Sequence, residues 1–207
     1  MSTETNIANK ALSHVGSARI TDFNDPDQVR ARTIRDVWTL SRQLLLHAAN
    51  WTSHRTRASL STLTAAPISG WANQFQLPSD FLRIAEFNRV DVFDEPLQDF
   101  FQIEGKQLLT DEDSASIVYI RDDEDTSLLS PAMVECMALL VGSAIATPLR
   151  EDEQLAAVLY DRYKNDQLPE ARRISAINKK VRRWRPEQDS RLVQARSYNS
   201  MDVTPNG

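Results

Sequence analysis

Side chains that could serve as nucleophiles, general bases or metal ligands are few in this 207-residue chain. No two of the three histidines, His14, His47 and His54, have the spacing that places two ligands on one helix face, and surface or capping roles are predicted for them. The single cysteine, Cys136, lies in an apolar run, which predicts a buried structural thiol because a nucleophilic thiol needs a histidine partner. With five glycines there is no glycine-rich phosphate loop. The sequence predicts no catalytic residue, no metal ion and no cofactor.

Two acidic clusters, at residues 111–113 and 122–125, could in principle bind a cation. Counted from Asp111, the sixth position of a calcium-binding loop is Ser116 and the twelfth is Asp122, where an EF-hand has Gly and Glu. Counted from Asp122, the twelfth position is Met133. Solvated loop charge is therefore the expected interpretation of both clusters, and the alternative is a patch that repels another polyanion.

Carboxylate pairs were considered as the machinery of a hydrolase, for instance one that cuts cell-wall glycans. Such an enzyme needs two carboxylates facing each other in a cleft. The candidates Glu86, Asp91 and Glu95 fall on ordinary strand or turn positions. The sequence therefore favours a protein that is not an enzyme.

The formal charge of −5 is unevenly distributed along the chain. Residues 179–207 contain seven Lys or Arg and three Asp or Glu, which gives +4 and leaves −9 for residues 1–178. The start of this tail combines five cations with one aromatic side chain: Lys179, Lys180, Arg182, Arg183, Trp184 and Arg185. Such a segment suits docking on an acidic protein surface, or phosphate contact with base stacking, or it has no role.

Helical patterns precede and follow a β-rich middle. Thr3 or Thr5 can cap a first helix that ends at Gly16, and Asp25-Pro26 predicts the start of a second helix that ends near Asn50. Apolar residues of the second helix form one stripe with Ser41: Val29, Ile34, Val37, Trp38, Leu45 and Ala48. Its opposite face carries four arginines: Arg30, Arg32, Arg35 and Arg42.

The third and fourth helices follow the β segment. Ser130-Pro131 predicts the start of helix three, and Pro148 its end. Residues 131–149 approach membrane-spanning length, but Glu135 within them favours a helix buried on all sides by protein. Helix four begins near Arg150 and must be kinked or interrupted at Pro169.

These elements predict an α+β fold, mainly α with a β insertion. A bundle of about four helices, at residues 3–50 and 131–178, carries a β subdomain at about 55–121 between helices two and three. Residues 1–178 are expected to form a single domain, followed by an extended, flexible basic tail at 179–207. Residues 1–30 contain no secretory signal pattern.

The segment from Trp71 to Ile84 is predicted to be a structural elbow between the helices and the β insertion. Trp71, Phe75 and Phe81 are expected to anchor it in the core. Leu77 is held extended because it precedes Pro78, which sets the direction of the following strand.

Taken together, several short motifs and the order of the elements resemble the head-to-tail adaptor family of short-tailed phages, also called tail tubular protein A. The resemblance covers about residues 5–178 and rests on four pieces. They are Ala11-Leu12-Ser13-His14-Val15-Gly16, Asn50-Trp51, Trp71 followed by Phe75-Gln76-Leu77-Pro78-Ser79-Asp80-Phe81-Leu82-Arg83, and Tyr160-Asp161-Arg162-Tyr163.

This resemblance implies a non-enzymatic virion protein that forms a ring, typically a dodecamer. The ring would lie under the portal protein, carry the tail nozzle or tail tube, and let DNA pass through its channel. The implied location is the neck and tail of the virion, with assembly in the host cytoplasm and no membrane partner. The tail residues from Lys179 to Arg185 are then expected to dock on the portal. Under the alternative interpretation of the acidic clusters, these loops would face the bore of the ring and keep DNA from adhering to its wall. The alternative is a nucleic-acid-binding module that acts through the basic tail.

Overall fold

The computed structural model describes residues 3–65, 67–88, 90–91 and 100–178. Within these residues there are five α-helices: α1 Glu4–Val15, α2 Val29–His47, α3 Pro131–Arg150, α4 Glu153–Asp161 and α5 Leu168–Ile177. The same ranges contain seven strands: β1 Arg55–Ser59, β2 Asn73–Gln76, β3 Phe81–Phe87, β4 Val90–Asp91, β5 Gln102–Glu104, β6 Gln107–Thr110 and β7 Ser116–Arg121. All strands lie between α2 and α3, so the predicted α+β class with β structure between helices two and three is confirmed. The predicted basic tail lies outside the described residues, as does Glu95.

Local capping fixes the ends of α1 and the start of α3 as expected. The hydroxyl of Thr3 accepts a hydrogen bond from the Asn6 N–H, and Gly16 closes α1 at φ 67°, a left-handed conformation that suits glycine. Ser130 caps α3 by accepting from the Met133 N–H, with Pro131 as the first helical residue.

The predicted start of the second helix is wrong by several residues. The Asp25 carboxylate accepts a hydrogen bond from the N–H of Asp27 and forms a local turn instead of capping a helix. Helix α2 begins at Val29, whose side chain is exposed rather than part of the buried stripe, and ends at His47 rather than near Asn50.

The two prolines of the C-terminal helices differ in effect. Pro148 lies inside the last turn of α3, which continues to Arg150, so it does not end the helix as predicted. Before Pro169 the backbone widens into a π-helical segment, Arg162–Gln167, in which the Leu168 N–H donates to the Tyr163 carbonyl. The chain thus passes from α4 to α5 through a π-helix, and the predicted interruption at Pro169, a residue that has no N–H to donate, is confirmed.

The β segment forms two antiparallel sheets. One has the strand order β1-β7-β3-β4, and the other has the order β2-β6-β5. Strand β7 is central in the first sheet, with Arg57 opposite Val118 and Ile84 opposite Tyr119. Residues 61–63 cover the outer edge of β2, because the Leu63 N–H donates to the Gln74 carbonyl and the Gln76 N–H to the Ser61 carbonyl.

Helix α3 is the centre of the larger of two apolar cores. It contacts α1, α2, α4 and α5, and 11 of its residues are buried. Among the described helices α3 alone is long and apolar enough to cross a membrane, and 61% of its most apolar window is buried within the protein. Its remaining surface includes the exposed Ala144 and Thr147, so it is not enclosed on every side. The smaller core lies between the sheets around Phe75, Leu108 and Ile117.

Candidate functional site

The elbow segment joins the two sheets to each other rather than the helices to the β insertion. Strand β2 belongs to one sheet and β3 to the other, so the Leu77-Pro78 corner is the crossing between them. Phe75 is buried as predicted, Leu77 is also buried, and Phe81 is half-buried with its ring 5.8 Å from that of Tyr119. The corner is fixed by the Leu77 N–H, which donates to the Lys106 carbonyl at 3.0 Å.

Trp71 does not anchor the core, so that prediction is wrong. Its side chain is half-exposed and its Nε1–H donates to Gln102 Oε1 at 3.2 Å, a polar partner at the end of the smaller sheet. Another polar contact lies just after the Leu77-Pro78 corner, where the Tyr119 hydroxyl donates to Asp80 at 2.9 Å. Burial, together with that hydrogen bond, raises the pKa of Tyr119 to about 12.

The second acidic cluster is part of the protein's framework and is not simply solvated charge. Asp122 follows β7 and accepts hydrogen bonds from Arg42 Nε at 3.1 Å and from Gln43 Nε2 at 2.7 Å. Arg42 Nη1 also lies 3.5 Å from the exposed Glu124. Arg42, expected on the exposed face of α2, is therefore buried, and it ties α2 to the end of the central strand. Asp123 is paired with Arg121.

The first acidic cluster lies on the surface, as predicted. Asp111, Glu112 and Asp113 are exposed, and Asp111 accepts a hydrogen bond from the Ala72 N–H at 2.9 Å. Within the described ranges, no group of three His, Cys, Asp or Glu side chains is arranged to hold a metal ion.

The histidines divide into three environments. His47 is exposed, and His14 Nε2 lies 3.1 Å from Glu135 Oε1 beside Lys10. His54, expected at the surface, is buried: its Nδ1 lies 2.9 Å from the Ser53 hydroxyl, and its Nε2 has no hydrogen-bond partner. Burial lowers the pKa of His54, and the positive charge of Arg121 lowers it further. The negative charges of Asp123 and Asp125 act in the opposite direction.

Other side chains with possible chemistry are also in structural positions. The Cys136 thiol is fully buried, as predicted, and burial raises its pKa to about 12. Glu86 forms an ion pair with Arg55 across the face of the larger sheet. Asp91 lies in the short strand β4. In the register between β3 and β4, Asp91 stands directly opposite Glu86, whose carboxylate pairs with Arg55.

Among the described helices, α5 has one exposed large apolar side chain, Ile177 at its end, whereas α2 and α4 each have more than one. On α2 these are Val29, Leu40 and Leu44, and on α4 they are Val158 and Tyr160, all between 48% and 63% exposed. Positions 29 and 40 are eleven residues apart, about three helical turns, so they lie on one face of α2 together with Leu44. The outward side of α2 is therefore a candidate interaction surface.

Exposed charges of opposite sign flank these two faces. Arg30 and Arg32 accompany the face on α2, with Asp36 between them and Leu40 along the helix. Glu153 and Asp161 accompany the face on α4, which also follows the exposed Glu151. The exposed side of α2 was not predicted from the sequence. Leu45 and Leu46 are buried on one side of the helix, and Leu40 and Leu44 lie on its outer side.

Two arginines complete the C-terminal end of α2. Arg83 Nη1 donates to the His47 carbonyl at 2.9 Å, and Arg172 Nη2 donates to the Ala48 carbonyl at 2.7 Å. Burial, and secondarily the charge of Arg172, lower the pKa of Arg83. These side chains satisfy helix-end carbonyls and connect β3 and α5 to α2.

The chain matches no family model and no curated protein. The functional assignment accordingly depends on the surfaces described above and on the sequence motifs.

Proposed function

We propose that this chain is a structural virion protein, the head-to-tail adaptor of a short-tailed phage. Copies of it form a ring that joins the portal protein to the tail nozzle or tail tube and continues the DNA channel. The observation that carries this proposal is the exposed apolar side chains on the outward sides of two helices, α2 and α4, because a subunit of a closed ring needs one surface for each of its two neighbours.

The motifs that resemble the adaptor family support the proposal through their structural roles. Ala11–Gly16 forms the packed end of α1, and Trp51 is buried after α2 with its Nε1–H donating to the Leu45 carbonyl at 2.7 Å. The Leu77-Pro78 corner joins the two sheets, and Tyr163 is buried in the π-helical segment. In the proposed ring, the helices stand side by side as a bundle that makes the wall, and the β subdomain projects from it.

The charge distribution fits the two kinds of contact that an adaptor makes. The body of the chain, with a formal charge of −9, and the exposed cluster at Asp111–Asp113 would repel the passing DNA and prevent adhesion to the channel. The basic segment from Lys179 to Arg185 would dock on an acidic groove of the portal protein, with Trp184 as its anchor.

The direct test mixes the purified full chain with the portal protein encoded by the same phage. We expect class averages in electron microscopy to show a ring of this chain, twelve-fold in the simplest case, seated on the portal. Persistent monomers with no affinity for the portal would refute the proposal.

Truncation after Asn178 separates the adaptor from the nucleic-acid-binding alternative, which the basic tail favours. The truncated chain is expected to lose portal binding in a sedimentation assay and to keep the thermal unfolding midpoint of the full chain. If portal binding survives while binding to duplex DNA disappears, the tail serves nucleic acid and the docking role assigned to it is wrong. A matched control is Trp184→Ala, which removes the anchor and leaves the charge intact.

A further inference from the structure

We propose that adjacent copies of this chain contact each other through two different helices, the outer face of α2 on one copy and the outer face of α4 on the next. The inference rests on the proposed function, since it names the surfaces by which the adaptor ring closes. The partner is a second copy of this chain.

The first support is that the outward sides of α2 and α4 have similar lengths. From Val29 to Leu40 is about 16 Å along α2, and α4 from Glu153 to Asp161 is about 13 Å long. Ala157 is exposed at the centre of the α4 face and has a small side chain, with Val158 and Tyr160 on either side of it. A leucine of α2 can therefore seat over Ala157 between two larger side chains, as ridges pack into grooves between helices.

The second support is charge complementarity. Arg30 and Arg32 are exposed on the α2 face, and Glu153 and Asp161 are exposed on the α4 face. Asp36 is an exposed anion on the α2 face, and the α4 helix is followed by an exposed cation, Arg162. Parallel self-association of the α2 face would bring arginine against arginine, whereas contact between α2 and α4 pairs opposite charges.

The third support is the placement of α2 and α4 around α3. A side chain at Gly142 would meet Leu159 of α4 as well as α1, so this side of α3 faces those helices. Met137 lines a small cavity with Trp38 and Arg42 of α2. Residues 137 and 142 are separated by about 140° around a helix, so α2 and α4 pack on different sides of α3. A contact between two such surfaces is head-to-tail, and repeating it closes a ring when the rotation allows.

The test is a charge exchange in the full chain. One variant carries Arg30→Glu and Arg32→Glu, and the other carries Glu153→Lys and Asp161→Lys. Each alone should assemble at least about tenfold more weakly than the unmodified chain, measured by sedimentation velocity and by ring counts on the portal, because like charges then face each other. An equimolar mixture should recover assembly, since reversed α2 then meets reversed α4.

Each outcome decides for or against the contact. Two variants that assemble like the unmodified chain overturn it, and so do two defective variants whose mixture is not rescued. A defect in the α2 variant alone indicates that α2 contacts a copy of itself and also overturns it. Circular dichroism of each variant checks that folding is unchanged. If the charge exchange does not affect assembly but the rings bind the portal, the contact is wrong and the adaptor function is still supported. If the mixture restores ring assembly but the rings do not bind the portal, the contact is supported and the adaptor function is refuted.

Cysteine cross-linking provides a second measurement. Chains with Leu40→Cys mixed with chains with Val158→Cys should form a disulfide-linked dimer on mild oxidation. Leu40→Cys chains alone are the control and should not cross-link, because the α2 faces do not meet. The native Cys136 does not compete, since it is fully buried. Equal cross-linking in the mixture and in the control would overturn the assignment.

Discussion

The ion pair between Arg42 and Asp122 gives the sharpest stability prediction. Replacement Arg42→Met keeps an aliphatic side chain of similar length but leaves the Asp122 carboxylate without its cation. Removing one partner of a fully buried pair costs about 3–5 kcal/mol. Because Asp122 is 21% exposed and keeps its hydrogen bond from Gln43, part of that cost is relieved by water, and we expect a loss of about 2–3 kcal/mol.

Urea denaturation followed by tryptophan fluorescence measures this loss, because Trp38 and Trp51 are buried in the larger core and report its unfolding. With a slope of about 2 kcal/mol/M, the unfolding midpoint should fall by about 1 M. The double variant with Asp122→Asn removes the stranded charge, so its loss should be smaller than the sum of the two single losses by about 1 kcal/mol.

A matched control removes an arginine whose carboxylate contact is exposed. Arg173 forms two hydrogen bonds with Glu170, at 2.8 and 2.7 Å, on the surface of α5. Arg173→Met should leave the midpoint unchanged, since exposed pairs contribute little. If Arg42→Met unfolds at the same urea concentration as Arg173→Met, the structural role assigned to Arg42 is refuted.

Three further predictions concern buried positions. A Cβ at Gly142 would lie 3.4 Å from Leu159 Cδ1 and 3.6 Å from the Ala11 carbonyl, so Gly142→Leu should lower the free energy of unfolding by about 1–3 kcal/mol in urea titrations, while Gly142→Ala is tolerated. Burial, and secondarily the charge of Glu135, raise the pKa of Cys136 to about 12, so Ellman's reagent at pH 8 should label it only after urea unfolds the chain, and rapid labelling of the native protein would contradict this. Burial lowers the pKa of His54 from 6.5, so as the pH falls the unfolded chain takes up this proton before the folded chain does. The contribution of His54 to stability is therefore complete above pH 6.5 and is lost as the pH drops through the folded pKa. In urea titrations from pH 7.5 to 5, the free energy of unfolding of His54→Phe should decrease less than that of the unmodified chain.

Elements decided by neighbouring residues were predicted well from the sequence. Thr3, Gly16 and Ser130 act within one helical turn of their own position, so their capping roles follow from residue type. The start of α2 was predicted too early. The Asp25 carboxylate accepts a hydrogen bond from the Asp27 N–H, and such a turn competes with the helix cap that Asp25 was expected to form.

Features that depend on distant parts of the chain could not be predicted. Arg42 and Asp122 are 80 positions apart, and nothing in the periodicity of α2 indicates that a carboxylate will meet its polar side. Trp71 was expected in the core, but it precedes β2 and its Nε1–H donates to Gln102 of β5, 31 positions away. The exposed face of α2 was likewise concealed, since Leu40 and Leu44 become surface residues only once Leu45 and Leu46 face α3.

In the proposed ring, helix α2 links the stability of the subunit to its assembly. Its polar side is tied through Arg42 to Asp122 at the end of β7, and its outer side carries Leu40, two residues away along the same helix. A helix held at that point presents a fixed surface to a neighbour, which lowers the entropy lost on association. Arg42→Met should therefore weaken ring assembly even at temperatures where the chain stays folded, although Arg42 is buried and touches no neighbour. Arg173→Met, which lies outside both proposed faces, should not. Sedimentation velocity on the two variants at the same concentration would separate them, and equal assembly would show that α2 holds its position without this link.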